Sequence, residues 1–305
     1  MGKKTVAETI KEISRKHLEE GNGLLIGQCI SAVGWVNGTV PNCKGIVELP
    51  MTESAGAGIA VGAAIVGRRP IYVVRFQDFM TLNGSPFINY AAKCMELHGR
   101  PAPVFIRALA ADGIGPVHSG ILHGVFMHFP GFRVCAPMTP GEYAEAWRVF
   151  MANDDPMYVS EHRESFQNTE EMPDIIHQQA DITLYGVSAP RLVLAKAADR
   201  LKADDITCDI VHIACLKPFE VTARLLDPLK RSGMGLVVDA TFEICGAARS
   251  IAYELTQASG MPVRALGLLD RTKCLCPPLQ NKAPDADGIC RVVKNILRNK
   301  QAAVD

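Results

Sequence analysis

The first half of the chain alternates short apolar runs with longer stretches that are amphipathic or rich in small residues. Runs of β-branched and aromatic residues predict buried strands, and stretches with a period near 3.6 predict helices. The predicted strands cover residues 22–30, 71–76, 103–109, 132–136 and 156–161. The predicted helices cover residues 52–67, 85–97 and 139–152. Thr139 and Glu142 form the T-x-x-E pattern of a capping box at the start of the last helix.

The second half of the chain again alternates predicted strands and helices, after a polar stretch that has no hydrophobic periodicity. Strands are predicted at residues 181–186, 207–214, 235–240 and 262–268, and helices at residues 188–204, 219–232, 246–259 and 285–299. Alternating strands and helices are typical of mostly parallel sheets flanked by helices. We therefore predict an α/β protein with a first domain over residues 1–170, a linker over 171–181 and a second domain over 182–305.

Composition and charge narrow the classes of function. The 305 residues carry no net charge, because 32 basic residues balance 32 acidic ones, so nothing favours nucleic acid as a partner. The apolar stretches are interrupted before the ~20 residues that a membrane span requires, and the charged N-terminus lacks the apolar segment of a signal peptide. We expect a cytoplasmic protein without nucleic-acid or membrane partners, with its ten scattered cysteines reduced and no zinc site.

The most informative segment, residues 50–64, is PMTESAGAGIAVGAA and predicts a helix of small side chains. Gly, Ala and Ser at most positions allow such a helix to pack closely against its neighbours. One acid, Glu53, stands at its start, where the positive end of the helix dipole favours a carboxylate. From these properties alone, Glu53 is either an ordinary N-terminal helix acid or a functional group held at a helix start.

This segment resembles the T-E-x-x-x-A-G-x-x-V-G-A-A signature of the pyrimidine-binding domain in β subunits of thiamine-diphosphate-dependent 2-oxoacid dehydrogenases. The similarity continues in order along most of the chain, through Phe76, Asp78, Phe79, His118, Ser119, Lys217, Pro218, Phe219, Pro277, Pro278 and Leu279. It implies a thiamine-diphosphate-binding fold of the pyrimidine type, followed by a transketolase C-terminal-like domain.

The resemblance implies thiamine diphosphate as the cofactor and gives roles to four residues. Glu53 is similar to the acid that hydrogen-bonds the aminopyrimidine ring and activates it, so it is expected to be both catalytic and cofactor-binding. Phe79 is similar to the aromatic residue that stacks on this ring, with a core phenylalanine as the alternative. His118 is similar to a substrate-facing proton donor or charge stabiliser, with a loop histidine without chemistry as the alternative. Gln28 is expected beside the cofactor.

Half of the expected cofactor site is missing from the sequence. The diphosphate is normally held through magnesium by a G-D-G motif, because magnesium prefers carboxylate, carbonyl and phosphate oxygens. This chain contains no G-D-G sequence. The resemblance therefore implies an α-type partner that carries the diphosphate and magnesium, in an α2β2 heterotetramer with active sites at subunit interfaces.

The segment from Gln28 to Trp35 departs from the family pattern, and the turn at residues 152–156 resembles part of it. Gln28 replaces the glutamate that is usual in the family, and Trp35 in the loop that follows could reach the pocket. The turn at residues 152–156 resembles a potassium-binding turn of the family, with Asn153 and Asp155 as the candidate ligands. An ordinary acidic turn is the alternative.

Three functions are compatible with these residues. The first is decarboxylation of a 2-oxoacid, with transfer of the acyl or aldehyde unit to an acceptor such as the lipoyl group of an acyltransferase. The second is a split transketolase or an acyloin-forming carboligase, which uses a ketose or similar donor and no lipoyl acceptor. The third is a subunit that has lost the chemistry, and the intact Glu53 argues against it. We expect the first.

Overall fold

The computed structural model describes residues 2–21, 23–273, 276 and 280–301. The chain forms two compact units. The first comprises Met1–Glu171 with Ala214–Pro218, and the second comprises Met172–Ile213 with Phe219–Asp305. Both contain mostly parallel sheets flanked by helices, so the predicted fold class is confirmed. The linker boundaries proposed from the sequence stay a prediction.

The strands in chain order are β1 (Leu24–Gln28), β2 (Ile46–Leu49), β3 (Pro70–Val74), β4 (Phe105–Ala110), β5 (Arg133–Cys135), β6 (Met157–His162), β7 (Ile182–Val187), β8 (Cys208–Ile213), β9 (Cys215–Lys217), β10 (Gly235–Phe242) and β11 (Val263–Leu268). The helices are α1 (Val6–Glu20), α2 (Gly34–Gly38), α3 (Glu53–Ile65), α4 (Met80–Pro86), α5 (Ala92–His98), α6 (His123–Met127), α7 (Pro140–Met151), α8 (Leu194–Lys202), α9 (Ala223–Ser232), α10 (Ala247–Ser259) and α11 (Ala286–Gln301). Short 3-10 turns lie at Gln77–Phe79, Arg163–Ser165 and Ala189–Val193, and a π-helical turn lies at Phe87–Ala91.

The first unit is built on a seven-stranded sheet in the order β2-β1-β3-β4-β6-β5-β9. Its neighbouring strands are parallel except for β5 and β9, which are antiparallel. All residues of β3, β4 and β6 are buried, as expected for parallel strands with both faces covered. The carboxyl ends of β1, β3, β4 and β6 lie at one edge of the sheet, and the segments that follow them meet there.

A buried ion pair joins the two central strands β4 and β6. Arg107 Nε donates to Glu161 Oε1 at 2.7 Å, and Arg107 Nη2 donates to Glu161 Oε2 at 2.9 Å. The hydroxyl of Tyr143 donates to Glu161 Oε1 at 2.6 Å, and Thr39 Oγ1 accepts from Arg107 Nη2 at 2.8 Å. All four residues are buried. Burial opposes the charge of Arg107, but Glu161 and Tyr143 outweigh this effect and raise the pKa of the guanidinium.

The second unit contains a four-stranded parallel sheet in the order β11-β10-β7-β8. Its core is apolar and lies between the sheet, α8 and α11; it includes Leu184, Leu194, Leu201, Ile210, Leu236, Val238, Ile289 and Val293. All of the site residues predicted from the sequence lie in the first unit.

Two short strands were not predicted. β2 has four residues and β9 has three, which is too short for a periodic pattern to appear in the sequence. Because β9 pairs with β5, residues 214–218 complete the sheet of the first unit, although they follow strand β8 of the second.

The helical region after β3 begins earlier than predicted. Residues 85–97 were expected to form a helix with Pro86 near its first turn, but α4 begins at Met80 and ends at Pro86. A π-helical turn follows directly, because proline has no N–H to continue the regular bonding. The predicted cap of α7 is present, since Thr139 Oγ1 accepts a hydrogen bond from Glu142 N at 3.2 Å.

Candidate active site

Gln28 caps the helix that begins at Glu53. β1 ends at Gln28, and α3 starts 25 residues later at the same edge of the sheet. The side-chain oxygen of Gln28 accepts hydrogen bonds from the backbone N–H groups of Thr52 and Glu53, each at 3.0 Å. The opposite amide orientation would place its NH2 group against these two donors. No side chain of α3 itself caps the helix start, so Gln28 supplies the acceptor from a neighbouring strand.

Tyr72 and Asn83 lie between the start of α3 and Phe79. The buried hydroxyl of Tyr72 lies 3.5 Å from Glu53 O and donates to Asn83 Oδ1 at 2.6 Å. Asn83 Nδ2 donates in turn to Phe79 O at 2.9 Å. Burial, and then the nearby Glu53 carboxylate, raise the pKa of Tyr72. This hydroxyl therefore stays neutral and donates its single proton to Asn83, while it only adjoins the backbone carbonyl of Glu53.

Phe79 and His118 come together around a third aromatic ring. The Phe79 and His118 rings are 5.5 Å apart between centroids, at 85°. Phe76 lies 4.5 Å from His118 and 6.1 Å from Phe79, in edge-to-face arrangements with both. Phe76 is buried, in agreement with a core residue, whereas Phe79 and His118 are half-buried. Edge-to-face contacts of this kind restrict the orientation of the imidazole.

These side chains surround a cavity of about 160 Å³ at the carboxyl edge of the sheet. Its walls are contributed by the ends of β1 and β3 and by the segments that follow β1, β2, β3 and β4. The lining residues are Gln28, Cys29, Met51, Tyr72, Val73, Val74, Arg75, Phe76, Phe79, Asn83 and His118. Glu53 adjoins this wall through Gln28 and Tyr72. The structure thus places Gln28, Phe79 and His118 in the wall of one cavity, with the backbone of Glu53 next to that wall.

Two polar residues hold the loop that carries His118. Asp78 Oδ2 accepts from Gly120 N at 2.7 Å, and a Cβ at Gly120 would come within 2.4 Å of Asp78 Oδ1. Gln77 is fully buried; its Oε1 accepts from Leu122 N at 2.6 Å, and its Nε2 donates to Ala108 O at 2.9 Å. The role of Gln77 was not predicted, although a glutamine directly after an apolar strand is a signal for such a polar anchor.

Trp35 lies away from the cavity. It packs against the apolar core of the first unit, and the adjacent Val36 is fully buried. Helix α2 is a single left-handed turn, with φ values of 54°, 52° and 57° at Trp35, Val36 and Asn37. This conformation is costly for non-glycine residues and turns the two apolar side chains inward. The expectation that Trp35 could reach the pocket is therefore wrong.

The turn proposed for potassium is occupied by two arginines. Arg133 Nη2 donates to Asn153 Oδ1 at 2.8 Å, and Arg133 Nε lies 3.2 Å from Asp155 Oδ2. Arg69 donates to Asn153 O at 2.7 Å and to Asp154 Oδ1 at 2.7 Å. The oxygens that would ligate a cation already bind two guanidinium groups, whose charge would repel it. Asn153 and Asp155 therefore do not fit a potassium ion, and the structure corrects this expectation.

Several other expectations concern metals and membranes. Over residues 2–21, 23–273, 276 and 280–301, no group of three or more His, Cys, Asp and Glu side chains is arranged to hold a metal ion. No helix in the same part of the chain is long and apolar enough to span a membrane. The near-terminal motif Pro277, Pro278 and Leu279 lies outside the described residues.

Comparison with known proteins assigns both halves of the chain. Residues 31–168 match the transketolase pyrimidine binding domain, and residues 173–283 match the transketolase C-terminal domain. The acetoin:2,6-dichlorophenolindophenol oxidoreductase subunit beta of Cupriavidus necator is 30% identical over 251 residues, which cover 76% of this chain and 72% of the relative. The chain belongs to the family of thiamine-diphosphate-dependent 2-oxoacid dehydrogenase β subunits.

Other relatives of this β-type chain agree with the assignment. The pyruvate dehydrogenase E1 component subunit beta of Rickettsia felis is 26% identical over 229 residues, 68% of each chain. The 2-oxoisovalerate dehydrogenase subunit beta of Bacillus subtilis is 26% identical over 209 residues, 63% of this chain and 64% of the relative. A solved structure described as a split-gene transketolase, an inactive β4 tetramer, has a TM-score of 0.76 and 17% identity, and covers 97% of this chain and 99% of that one. At that identity, the likeness concerns the fold alone.

The capping role of Gln28 in this β-type chain can be tested by stability measurements. Gln28→Ala removes a side-chain acceptor of two backbone N–H groups at the start of α3, and we expect it to lower the free energy of unfolding by roughly 0.5–2 kcal/mol. Gln28→Glu keeps an acceptor oxygen and should retain most of the stability. Urea unfolding of the full chain measures both variants, with Gln167→Ala at an exposed position as the control. Equal stability of the wild type and Gln28→Ala would refute the cap.

Proposed function

We propose that this chain is the β-type subunit of a thiamine-diphosphate-dependent enzyme that decarboxylates a 2-oxoacid and transfers the remaining acyl or aldehyde unit. One observation carries the proposal: Glu53 starts a helix capped by Gln28, beside a cavity walled by Phe79 and His118. The named relatives are β subunits of enzymes acting on pyruvate, 2-oxoisovalerate and acetoin.

The residues around the cavity fit the aminopyrimidine end of thiamine diphosphate. A heteroaromatic ring with ring nitrogens and an amino group requires a carboxyl group to exchange a proton and a flat apolar surface to stack on. Glu53 offers the carboxyl group and Phe79 the apolar surface, and the backbone of Phe79 is held by Asn83, which Tyr72 in turn binds. When bound, the cofactor supplies the electron sink for cleavage of the bond beside a carbonyl.

Glu53 is proposed to hold and return a proton at a ring nitrogen of the aminopyrimidine. The Gln28 cap binds the backbone N–H of Glu53, so the Glu53 carboxylate is not needed to cap the helix. The oxygen of Gln28 is occupied by Thr52 and Glu53, so its NH2 group is what it can offer a ligand in the cavity. His118 is proposed to donate a proton to the reacting substrate or to stabilise its charge, from an orientation set by Phe76 and Phe79.

The other half of the site is proposed to come from an α-type subunit in an α2β2 heterotetramer. The sequence has no G-D-G motif, so the partner would hold the diphosphate and magnesium. Helix α3 supports this arrangement. Its inner face is buried through Gly56, Ala57, Ala60, Val61 and Ala64, while Ile59 is 51% and Ile65 39% exposed. We propose that the α-type subunit covers this outer face and that a lipoyl acyltransferase accepts the acyl unit.

Reconstitution with the α-type subunit tests the proposed function. The full chain, the partner and the complex are each supplied with thiamine diphosphate, magnesium and a panel of 2-oxoacids, and CO2 release and cofactor binding are measured. We expect CO2 release from the complex alone, and much weaker calorimetric binding of the cofactor by either subunit alone. Transfer from a ketose to an aldehyde, with no release of CO2 from any 2-oxoacid, would instead identify a split transketolase.

A further inference from the structure

Two arginines share one aromatic ring at the wall of the cavity. Arg75 directly follows β3 and Arg163 directly follows β6. The guanidinium carbon of Arg75 lies 5.5 Å from the centroid of the Phe76 ring, and that of Arg163 lies 4.7 Å from it. Arg163 Nη2 also donates to Arg75 O at 3.1 Å. Stacking on the same ring brings two positive charges close together.

Neither charge is neutralised within the part of the chain that the structure describes. No carboxylate there forms an ion pair with Arg75 or Arg163, and the Nε atom of each is buried without a hydrogen-bond partner. Both side chains are half-buried, and burial together with the charge of Arg75 lowers the pKa of Arg163. Two partly desolvated guanidinium groups with free donors are costly unless an anion binds them.

The position of the two arginines places such an anion in the candidate active site. In the sheet, β4 lies between β3 and β6, and the loop after β4 carries His118. Arg75, His118 and Arg163 therefore arise from three adjacent strands and all contact the ring of Phe76. Arg75 and His118 line the same cavity. An anion bound by the arginines would lie next to the proposed reaction centre.

We propose that Arg75 and Arg163 bind a second anionic group of the donor, a carboxylate or a phosphonate-like group on the tail of a 2-oxoacid. This inference rests on the proposed function. The carboxylate that reacts leaves as neutral CO2, with its bonding electron pair left on the substrate. Guanidinium groups on that carboxylate would stabilise the ground state more than the transition state and slow the reaction. A charge that persists throughout the reaction has no such cost, and two forked donors suit it.

The test compares three donors of matched length in the reconstituted complex. They are 2-oxopentanoate with a neutral tail, 2-oxoglutarate with a carboxylate tail and 2-oxo-4-phosphonobutanoate with a phosphonate tail. We expect kcat/KM for one of the two anionic donors to exceed that for the neutral donor by ~10-fold or more, the value of one charge-assisted hydrogen bond. Which anionic donor is preferred distinguishes the carboxylate from the phosphonate as the natural group.

Arginine variants connect this preference to the two residues. Arg75→Met and Arg163→Met should each lower the ratio of anionic to neutral kcat/KM by ~10-fold or more. Arg75→Lys and Arg163→Lys, which keep the charge, should retain more of the ratio than the methionine variants. Arg148→Met, at an exposed arginine on α7, should leave the ratio unchanged. Glutarate binding by calorimetry gives a readout that is independent of turnover and should weaken in both methionine variants.

The outcomes separate this inference from the proposed function. Decarboxylation of all three donors with equal efficiency, and no effect of the methionine variants on glutarate binding, would overturn the inference and leave the proposed function intact. Absence of CO2 release from these donors and from the wider panel of 2-oxoacids would refute the proposed function, while arginine-dependent glutarate binding would still support the anion site. Loss of assembly with the α-type subunit in Arg75→Met and Arg163→Met would identify a carboxylate of that subunit as the anion and overturn the inference.

Discussion

Replacing Glu53 with glutamine is expected to lower kcat of the reconstituted enzyme by ~10²–10⁴-fold, the usual contribution of a positioned acid–base group. Glutamine can accept and donate hydrogen bonds, but it cannot take up and return a proton. The variant should fold normally, because the Gln28 cap binds the backbone of Thr52 and Glu53 and not the carboxylate. The loss should therefore appear in turnover, with the circular dichroism and the unfolding midpoint of the chain little changed.

A matched control for this experiment is Glu142→Gln. Glu142 lies in the first turn of α7, as Glu53 lies in the first turn of α3. Its carboxylate accepts a hydrogen bond from Met138 N at 2.9 Å, whereas Glu53 adjoins the cavity wall at Gln28. Glu142→Gln removes a charge at a helix start without touching the proposed site, and it should retain activity. If Glu53→Gln turned over at the wild-type rate, the role assigned to Glu53 would be wrong.

Replacing Glu161 with glutamine is expected to lower the free energy of unfolding by about 3–5 kcal/mol. Glutamine is nearly isosteric, so the effect does not arise from a cavity. It leaves the Arg107 guanidinium buried without its counter-charge, and only Thr39 and the amide remain as acceptors. Tyr143 also loses the carboxylate that accepts its hydroxyl proton at 2.6 Å. Urea unfolding of the full chain at neutral pH measures the change.

The exposed pair of Arg148 and Glu145 is the control for this prediction. Arg148 Nε and Nη2 donate to Glu145 at 2.7 and 2.6 Å, a geometry close to that of Arg107 and Glu161. The two pairs differ chiefly in burial, and solvent screens the exposed pair, so Glu145→Gln should change stability little. The double variant Arg107→Met with Glu161→Leu should recover much of the loss, because it removes both charges. Similar effects of Glu161→Gln and Glu145→Gln would contradict the buried-charge argument.

The fold was predictable because each element carries its own pattern. Strands such as β3 and β7 are short runs rich in β-branched and aromatic residues, and α7 begins with a recognisable cap at Thr139. The order of such elements is enough to specify two mostly parallel sheets. β9 could not be predicted in the same way, since three residues show no period and their pairing with β5 depends on contacts distant in sequence.

The candidate site was only partly predictable. Family resemblance identified Glu53, Phe79, His118 and Gln28. The structure places the last three in one cavity wall and the backbone of Glu53 against Gln28. The resemblance did not indicate what Gln28 does, because a cap supplied by another strand leaves no local sequence signal. The potassium site was predicted wrongly for a related reason. Asn153 and Asp155 have suitable oxygens, but Arg133, at the start of β5, binds these oxygens, and the sequence of the turn does not show this distant arginine.

The sequence by itself therefore determined the family, the succession of strands and helices, and the identity of the acid at the start of α3. The tertiary structure alone decided which side chains act on one another across the sheet. The Gln28 cap, the buried pair of Arg107 and Glu161, and the placement of Arg163 on Phe76 beside Arg75 all join residues that are distant in sequence. Local sequence encodes backbone conformation and burial, whereas charge pairing depends on distances that exist only after the strands have assembled.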